Sequence, residues 1–256
     1  MTRALVAVVG ALGVLLGFSA LAPTAGSGPA ILVAAHRGGA ALWPENSLLA
    51  FRQALALGVD ALEFDLHMTA DGEVVVLHDP TLDRTSTAKG PVRALSLADL
   101  APVRLKARDG MVTDERVSTF AQVLDLAAST SVELVPEIKI DATGQRYDGI
   151  EEKVLALLRS RGLLARAKVQ AFQRETIRRL RELEPKARTV LLVTRGDLDM
   201  NHRLIDADVV SAARGAGIRL AAWTVNEEAD IRRMIDLGVD MVMSDRPDLA
   251  KRLRER

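Results

Sequence analysis

The chain has 256 residues, of which 48% are hydrophobic, and its 34 lysine and arginine residues balance its 34 aspartate and glutamate residues. This length and apolar content predict one large globular domain with a sizeable core. The balanced charge and the few aromatic residues argue against a nucleic-acid partner, and the absence of cysteine excludes disulfides and thiolate metal sites.

The segment 1–29 differs in character from the rest of the chain. A basic residue, Arg3, precedes an uncharged apolar run over 4–22, and small and turn-forming residues follow over 23–29 as a linker. This pattern predicts either a cleaved signal peptide or an N-terminal membrane anchor, because the run approaches the ~20 residues that span a bilayer. We therefore expect the protein to be exported (secreted or periplasmic) or anchored to the outer face of the cytoplasmic membrane.

The remaining residues, 30–256, alternate strand-like and helix-like segments. Short apolar runs predict strands at 31–35, 59–66, 73–77, 131–136, 168–172, 189–193, 219–225 and 241–244. Amphipathic spacing and capping residues predict helices at 48–57 after Ser47, from Ser118 to 128, and at 149–160, 175–183, 206–213 and 227–237. A polar, turn-rich insertion is predicted at about 80–113, after the third strand.

Strands that alternate with helices at this density are typical of a parallel α/β fold. A strand count near eight, with charged residues at the strand ends, predicts a TIM (β/α)8 barrel with its site at the carboxyl-terminal face. The stretch 195–204 is too short for both a helix and a full strand, so we expect a barrel shortened around strand 7. We hypothesise that residues 200–204 still supply a short strand.

Acidic, basic and imidazole side chains follow several predicted strands. Glu63 and Asp65 lie two residues apart, as do Glu137 and Lys139, so each pair faces one side of its strand. Carboxylates that converge at the ends of parallel strands can bind a hard metal ion, and nearby cations can bind a phosphate. The pattern therefore predicts a hydrolytic site, which would bring together Glu63, Asp65, Glu137, His36, His78, Arg37 and Lys139.

A series of short motifs occurs in order after the linker. The motifs are His36-Arg37-Gly38, Pro44-Glu45-Asn46-Ser47, Glu63-x-Asp65, Asp71-Gly72, His78-Asp79, Glu137-Ile138-Lys139, Trp223-Thr224-Val225-Asn226 and Ser244-Asp245. No motif is specific alone, but the ordered set resembles the glycerophosphodiester phosphodiesterase family. The resemblance implies a TIM barrel that uses a divalent metal ion to hydrolyse glycerophosphodiesters to sn-glycerol 3-phosphate and an alcohol.

The resemblance also implies roles for individual residues. Glu63, Asp65 and Glu137 match the family's ligands for one divalent metal ion, Ca²⁺ or Mg²⁺, both of which prefer carboxylate oxygen. His36 and His78 match the acid–base pair, since two imidazoles in opposite protonation states can move both protons near neutral pH. The residues expected to contact the phosphate or the rest of the substrate are Arg37, Lys139, Glu45, Asn46 and Trp223.

Several alternatives stay open at the level of the sequence. Either the substrate's glycerol hydroxyl or water could attack the phosphorus. The expected partner is a small glycerophosphodiester, with membrane attachment through the N-terminal segment as a further option. A related phospholipase barrel, phospholipase D-like or phosphoinositide-specific, would be favoured by an apolar patch at the pocket mouth. A non-catalytic phosphate-binding module would be favoured by loss of His36, His78 or Glu63, and all three are present.

Overall fold

The computed structural model describes residues 31–192, 202, 205–215, 217 and 219–255. Its strands are β1 (Leu32–Ala35), β2 (Ala61–Met68), β3 (Val74–Val76), β4 (Arg104–Lys106), β5 (Val112–Arg116), β6 (Ser118–Thr119), β7 (Glu133–Ile138), β8 (Lys168–Ala171), β9 (Arg188–Leu191), β10 (Ala221–Ala222) and β11 (Met241–Ser244). Its helices are α1 (Leu48–Leu57), α2 (Leu97–Leu100), α3 (Phe120–Ala128), α4 (Ile150–Ser160), α5 (Arg174–Leu183), α6 (Ala207–Gly215), α7 (Glu228–Leu237) and α8 (Pro247–Arg254).

The main sheet has the parallel order β10-β11-β1-β2-β7-β8-β9. Helices follow most of these strands and pack on the outer side, which is the predicted α/β barrel architecture. Within the described ranges no strand joins β9 to β10. The hypothesised strand at 200–204 lies, apart from residue 202, outside the described residues.

The segment 73–77, predicted as the third strand of the barrel, lies outside the parallel series of barrel strands. β3 runs antiparallel to β2 and pairs with β6 on its other side, so it is not a barrel strand. The short connection over 69–73 cannot hold a crossover helix and therefore forces a hairpin. The strand predicted at 219–225 is also shorter than expected, because only β10 pairs within it.

The insertion predicted at about 80–113 forms a small lobe with its own apolar core, which includes Leu82, Val92 and Leu105. Two of its segments lie side by side, since the Lys106 N–H donates to the Thr85 carbonyl oxygen at 2.8 Å. β4 and β5 form the antiparallel hairpin of this lobe. The lobe is therefore an ordered part of the domain.

The two predicted helix caps have different outcomes. Ser47 Oγ accepts an N–H from α1, which spans the predicted residues and ends at Gly58 in the left-handed conformation (φ 69°). Helix α3 is capped by Thr119, and the prediction of Ser118 is wrong. Ser118 belongs to β6 and pairs with β3, so it lies one residue before the position that caps the helix.

The charged C-terminal residues 251–256 have the sequence pattern of a solvated face, but residues 251–254 belong to the helix α8. Leu249 and Leu253 are buried. Lys251 Nζ donates to the carbonyl oxygens of Leu57 and Gly58 at 2.7 and 2.8 Å. The ammonium group of Lys251 thus caps carbonyl groups at the end of α1 and ties α8 to α1.

No helix among the described residues is both long and apolar enough to cross a membrane. The predicted signal peptide or anchor over 1–29 lies outside the described residues.

An aromatic cluster fixes the strand that carries two candidate ligands. Phe64 of β2 packs against Phe51 of α1 and Phe120 of α3, with ring centroids 5.6 and 5.8 Å apart, and all three rings are buried. Because side chains alternate along a strand, Glu63 and Asp65 face the other side of β2. Packing on the outer face therefore positions the carboxylates on the inner face.

We expect Phe64→Ala to lower the free energy of unfolding by about 3–5 kcal/mol, because it leaves a cavity among buried rings. Phe64→Leu fills more of the space and should cost about 1–2 kcal/mol. Chemical denaturation followed by circular dichroism measures both changes. Equal losses in the two variants would contradict the packing argument.

Candidate metal centre and active site

Three carboxylates converge at the carboxyl ends of β2 and β7. Glu63 and Asp65 lie on β2, and Glu137 stands opposite Asp65 in the register with β7. All three residues are buried, and their ligand oxygens lie within 4.8 Å of one another. Buried carboxylates this close repel one another unless a cation lies among them, and oxygen donors suit a hard divalent ion. The donor set therefore fits the predicted metal ion.

The pKa values of these carboxyl groups express that repulsion. Burial and the charge of Asp65 raise the pKa of Glu63 to about 8, and burial raises the pKa of Glu137 to about 7. Burial also acts on Asp65, but Lys139 and His78 outweigh it and hold the pKa of Asp65 below its usual value. Glu63 and Glu137 therefore need further positive charge to be fully ionised near neutral pH.

Two cations border the carboxylates. Lys139 Nζ lies 2.8 Å from Glu137 Oε1 and 3.3 Å from Asp65 Oδ1. The backbone N–H of Arg37 donates to Glu63 Oε2 at 2.9 Å, and its Nε has no hydrogen-bond partner among the described residues. Arg37 adopts φ 50°, within the short turn that follows β1. Both cations are therefore beside the carboxylates, and both are of a type that binds phosphate oxygens.

His36 is oriented by the end of β11. Its Nδ1 lies 2.6 Å from Asp245 Oδ1, and Asn226 Nδ2 donates to Asp245 Oδ2 at 2.7 Å. The parallel register of β1 with β11 brings residues 36 and 245 together. Burial opposes protonation, but the charge of Glu63 and the bond to Asp245 outweigh it and raise the pKa of His36. Asp245 is thus a positioning residue for His36.

We expect Asp245→Asn to lower kcat by about 10–100-fold with little change in KM, because the amide no longer holds His36 in the same tautomer. Steady-state kinetics separates the two constants. Asp248→Asn is the matched control, since Asp248 pairs with Arg246 and lines neither of the two cavities described below. An unchanged kcat in Asp245→Asn would contradict the positioning role.

His78 lies after β3 and has its own aspartate. Its Nδ1 lies 2.7 Å from Asp79 Oδ1, and Arg84 Nε donates to Asp79 Oδ2 at 2.7 Å. Burial lowers the pKa of His78. His67, which strand alternation places on the other face, lies behind it, with Nε2 3.1 Å from the carbonyl oxygen of His78. Burial lowers the pKa of His67 to about 4, so this imidazole is a neutral support of the His78 backbone.

Most of the predicted site residues line one cavity of about 110 Å³. These residues are His36, Arg37, Glu63, Asp65, His78, Glu137, Lys139 and Trp223. Glu45 and Asn46 do not line it but contact residues that do. Glu45 Oε1 lies 3.2 Å from Arg37 Nη1, and Asn46 Nδ2 donates to Asp65 Oδ2 at 2.9 Å. In this structure both side chains hold other site residues in place.

Sequence reasoning missed several residues that line the same cavity, among them Gln170 and Phe172. Gln170 of β8 is buried, and its Nε2 donates to Glu63 Oε1 at 3.1 Å. Phe172 meets Trp223 edge to face, with ring centroids 6.2 Å apart. Gln170 stands among apolar residues near the end of a predicted buried strand, which is the signal that could have identified it. Its hydrogen-bond partner, Glu63, lies 107 residues earlier in the chain, so no local sequence pattern indicates this contact.

Known proteins resemble this chain over most of its length. A sequence model described as the glycerophosphoryl diester phosphodiesterase family matches residues 36–249. The chain is 30% identical over 232 residues to the glycerophosphodiester phosphodiesterase of Caldanaerobacter subterraneus subsp. tengcongensis, covering 85% of this chain and 95% of that protein. It is 29% identical over 259 residues to the glycerophosphodiester phosphodiesterase of Bacillus subtilis strain 168. This match covers 88% of this chain and 87% of that protein.

A solved structure confirms the fold. The chain resembles an Oleispira antarctica phosphodiesterase solved in complex with the product sn-glycerol-3-phosphate, with a TM-score of 0.75 and 22% identity, covering 89% of this chain and 98% of that chain. The family match extends over most of the chain and includes every candidate site residue. The chain therefore belongs to the glycerophosphoryl diester phosphodiesterase family.

Proposed function

We propose that this protein hydrolyses glycerophosphodiesters to sn-glycerol 3-phosphate and an alcohol. The observation that carries the proposal is the arrangement of three carboxylates, two cations and two aspartate-bonded histidines around one cavity. Membership of the phosphodiesterase family supports the same reaction.

Glu63, Asp65 and Glu137 would hold one divalent ion, and we propose Ca²⁺ or Mg²⁺ because both prefer carboxylate oxygen. When bound, the ion polarises the phosphate and stabilises charge in the transition state. Asn46 and Gln170 donate hydrogen bonds to two of the carboxylates and hold their orientation. Arg37 and Lys139 bind phosphate oxygens and stabilise the charge that develops on them.

His36 and His78 are the proposed acid–base pair. Each has Nδ1 engaged by an aspartate, which leaves Nε2 for proton transfer. One imidazole accepts the proton of the attacking group, which is either water or the substrate's glycerol hydroxyl, and the other donates a proton to the alkoxide as its bond to phosphorus breaks. If the glycerol hydroxyl attacks, water then opens the resulting cyclic phosphate to give sn-glycerol 3-phosphate. Trp223 supports the binding of the substrate as part of the cavity wall.

The test is release of sn-glycerol 3-phosphate from glycerophosphocholine and glycerophosphoglycerol, with Ca²⁺ or Mg²⁺ and with EDTA. We expect hydrolysis with a metal ion and none in EDTA. No hydrolysis of either compound with any divalent ion would overturn the proposed function. Full activity in EDTA would overturn the metal assignment alone.

A phospholipase activity is the second candidate, because Met111 and Val112 are 66% and 51% exposed in the insertion lobe. These residues are near Arg108 and Gly110, which line a cavity next to His36. Hydrolysis of lysophosphatidylglycerol micelles faster than glycerophosphoglycerol would favour this candidate. We also propose export, which the apolar run over 4–22 supports and which cell fractionation would test.

A further inference from the structure

A second cavity adjoins the candidate active site. Its volume is about 470 Å³, against about 110 Å³ for the cavity that holds the carboxylates. His36, Arg37 and Thr224 line both, so the two cavities meet at a proposed catalytic histidine. The other polar and charged residues that line the larger cavity are Glu45, Arg84, Thr85, Lys106, Arg108 and Asp245.

Some of the charges in the larger cavity are paired. Arg84 donates to both oxygens of Glu45 at 2.8 and 2.9 Å, and Asp245 is bonded to His36. Lys106 and Arg108 differ, because neither has a side-chain hydrogen bond or an ion pair with any part of the chain that the structure describes. The larger cavity therefore carries two uncompensated cations beside the reaction site.

A buried hydroxyl group lies in the same wall. Thr85 is 7% exposed, and its Oγ1 has no hydrogen-bond partner within the described ranges. Such a group costs free energy unless a ligand or water bonds it. The bond from the Lys106 N–H to the Thr85 carbonyl oxygen holds the ammonium-bearing and hydroxyl-bearing residues side by side. Lys106 and Thr85 are therefore neighbours in the cavity wall before any ligand binds.

Arg108 is placed by the tip of the β4–β5 hairpin. The Ala107 N–H donates to the Met111 carbonyl oxygen at 2.8 Å, and the Gly110 N–H donates to the Ala107 carbonyl oxygen at 2.9 Å. These bonds define a tight turn that carries Arg108 at the cavity. The hairpin therefore carries both cations, Lys106 at the end of β4 and Arg108 in the turn that follows.

We propose that the larger cavity binds the alcohol part of the substrate and selects alcohols that carry a second phosphate group. The inference rests on the proposed phosphodiesterase function. The glycerol and the scissile phosphate are common to all substrates and occupy the small cavity, while the variable alcohol extends into the larger one. A phosphate accepts hydrogen bonds from an ammonium, a guanidinium and a hydroxyl group at once, whereas a cationic alcohol such as choline meets like charge.

Two substrates that differ by one glycerophosphate unit isolate this effect: glycerophosphoglycerol and bis(glycerophospho)glycerol. We expect kcat/KM per scissile bond to be about 10-fold higher for bis(glycerophospho)glycerol, because charge-assisted hydrogen bonds hold its second phosphate. Initial rates of sn-glycerol 3-phosphate release measure this ratio before the first product is itself hydrolysed.

Variants of the cavity wall assign the preference to residues. The double variant Lys106→Gln with Arg108→Gln should bring the ratio to about one and leave kcat/KM for glycerophosphoglycerol within about twofold. Thr85→Val, which removes one donor at similar volume, should lower the ratio about threefold. Lys89→Gln is the matched control, because Lys89 is an exposed cation of the same lobe that lines neither cavity.

Each outcome bears on one proposal. A wild-type ratio near one, or equal losses on both substrates in the double variant, would overturn the second-phosphate site. If neither substrate is hydrolysed, the phosphodiesterase function fails, and calorimetric binding to the EDTA-treated protein decides the site by itself. Tighter binding of bis(glycerophospho)glycerol that the double variant loses would support the site, and equal binding of both compounds would overturn it.

Discussion

Alanine in place of His36 or His78 is expected to lower kcat by about 10²–10⁴-fold, because each change removes a positioned group that carries a proton in the transition state. KM should change far less, since Arg37 and Lys139 still bind the phosphate. Combining the two changes should cost less than the product of the single effects, as the two imidazoles act on one reaction. Initial rates of sn-glycerol 3-phosphate release from glycerophosphoglycerol measure these effects.

His202→Gln is the control for this series. His202 lines neither cavity and lies 3.3 Å from Asp230 Oδ2 through its Nε2. Its substitution should leave kcat within about twofold of the wild type. Normal turnover in the alanine variant of His36 or His78 would remove that residue from the acid–base pair.

The second large effect concerns Glu63. Glu63→Gln is expected to abolish metal-dependent hydrolysis, because the site loses one of three carboxylate ligands. The same change should stabilise the protein in EDTA at pH 8. The folded state raises the pKa of Glu63 from 4.5 to about 8, so its contribution to stability is full below pH 4.5 and is lost as the pH rises through 8. Glutamine removes that loss.

Thermal denaturation at pH 5 and pH 8 measures this linkage. For the wild type, a divalent ion at ~100 times its Kd should raise Tm by roughly 5–10 °C, because it binds only the folded state. Glu63→Gln should show little of this shift, and Glu73→Gln, at an exposed position, should behave as the wild type. A wild-type Tm that does not respond to any divalent ion would contradict the metal site.

The local sequence pattern was sufficient to predict which side chains face the inner side of the strands at the site. The spacing of Glu63 and Asp65 predicted two carboxylates on one side of β2, and the structure has this arrangement, with the ring of Phe64 on the other side. Glu137 and Lys139 follow the same rule at the end of β7. These predictions hold because a strand repeats every two residues whatever it packs against.

Local pattern failed where a segment depends on distant partners. The charges of α8 resemble a solvated face, yet Lys251 binds carbonyl groups at the end of α1, 194 and 193 residues earlier in the chain. The segment 73–77 has the apolar pattern of a barrel strand, but its hairpin with β2 places it outside the parallel series. Apolar pattern records burial and leaves the direction and neighbours of a strand open.

By itself, the sequence determined the α/β class, the ordered motifs of the family and the side chains that we propose to supply the chemistry. Only the tertiary structure decided which groups support them: Asp245 reaches His36 across 209 residues, and Gln170 reaches Glu63 across 107. It also decided that Lys106, Arg108 and Thr85 line a cavity beside His36. The physical reason is that composition and periodicity are local, whereas hydrogen bonds and cavities depend on which chain segments meet in space.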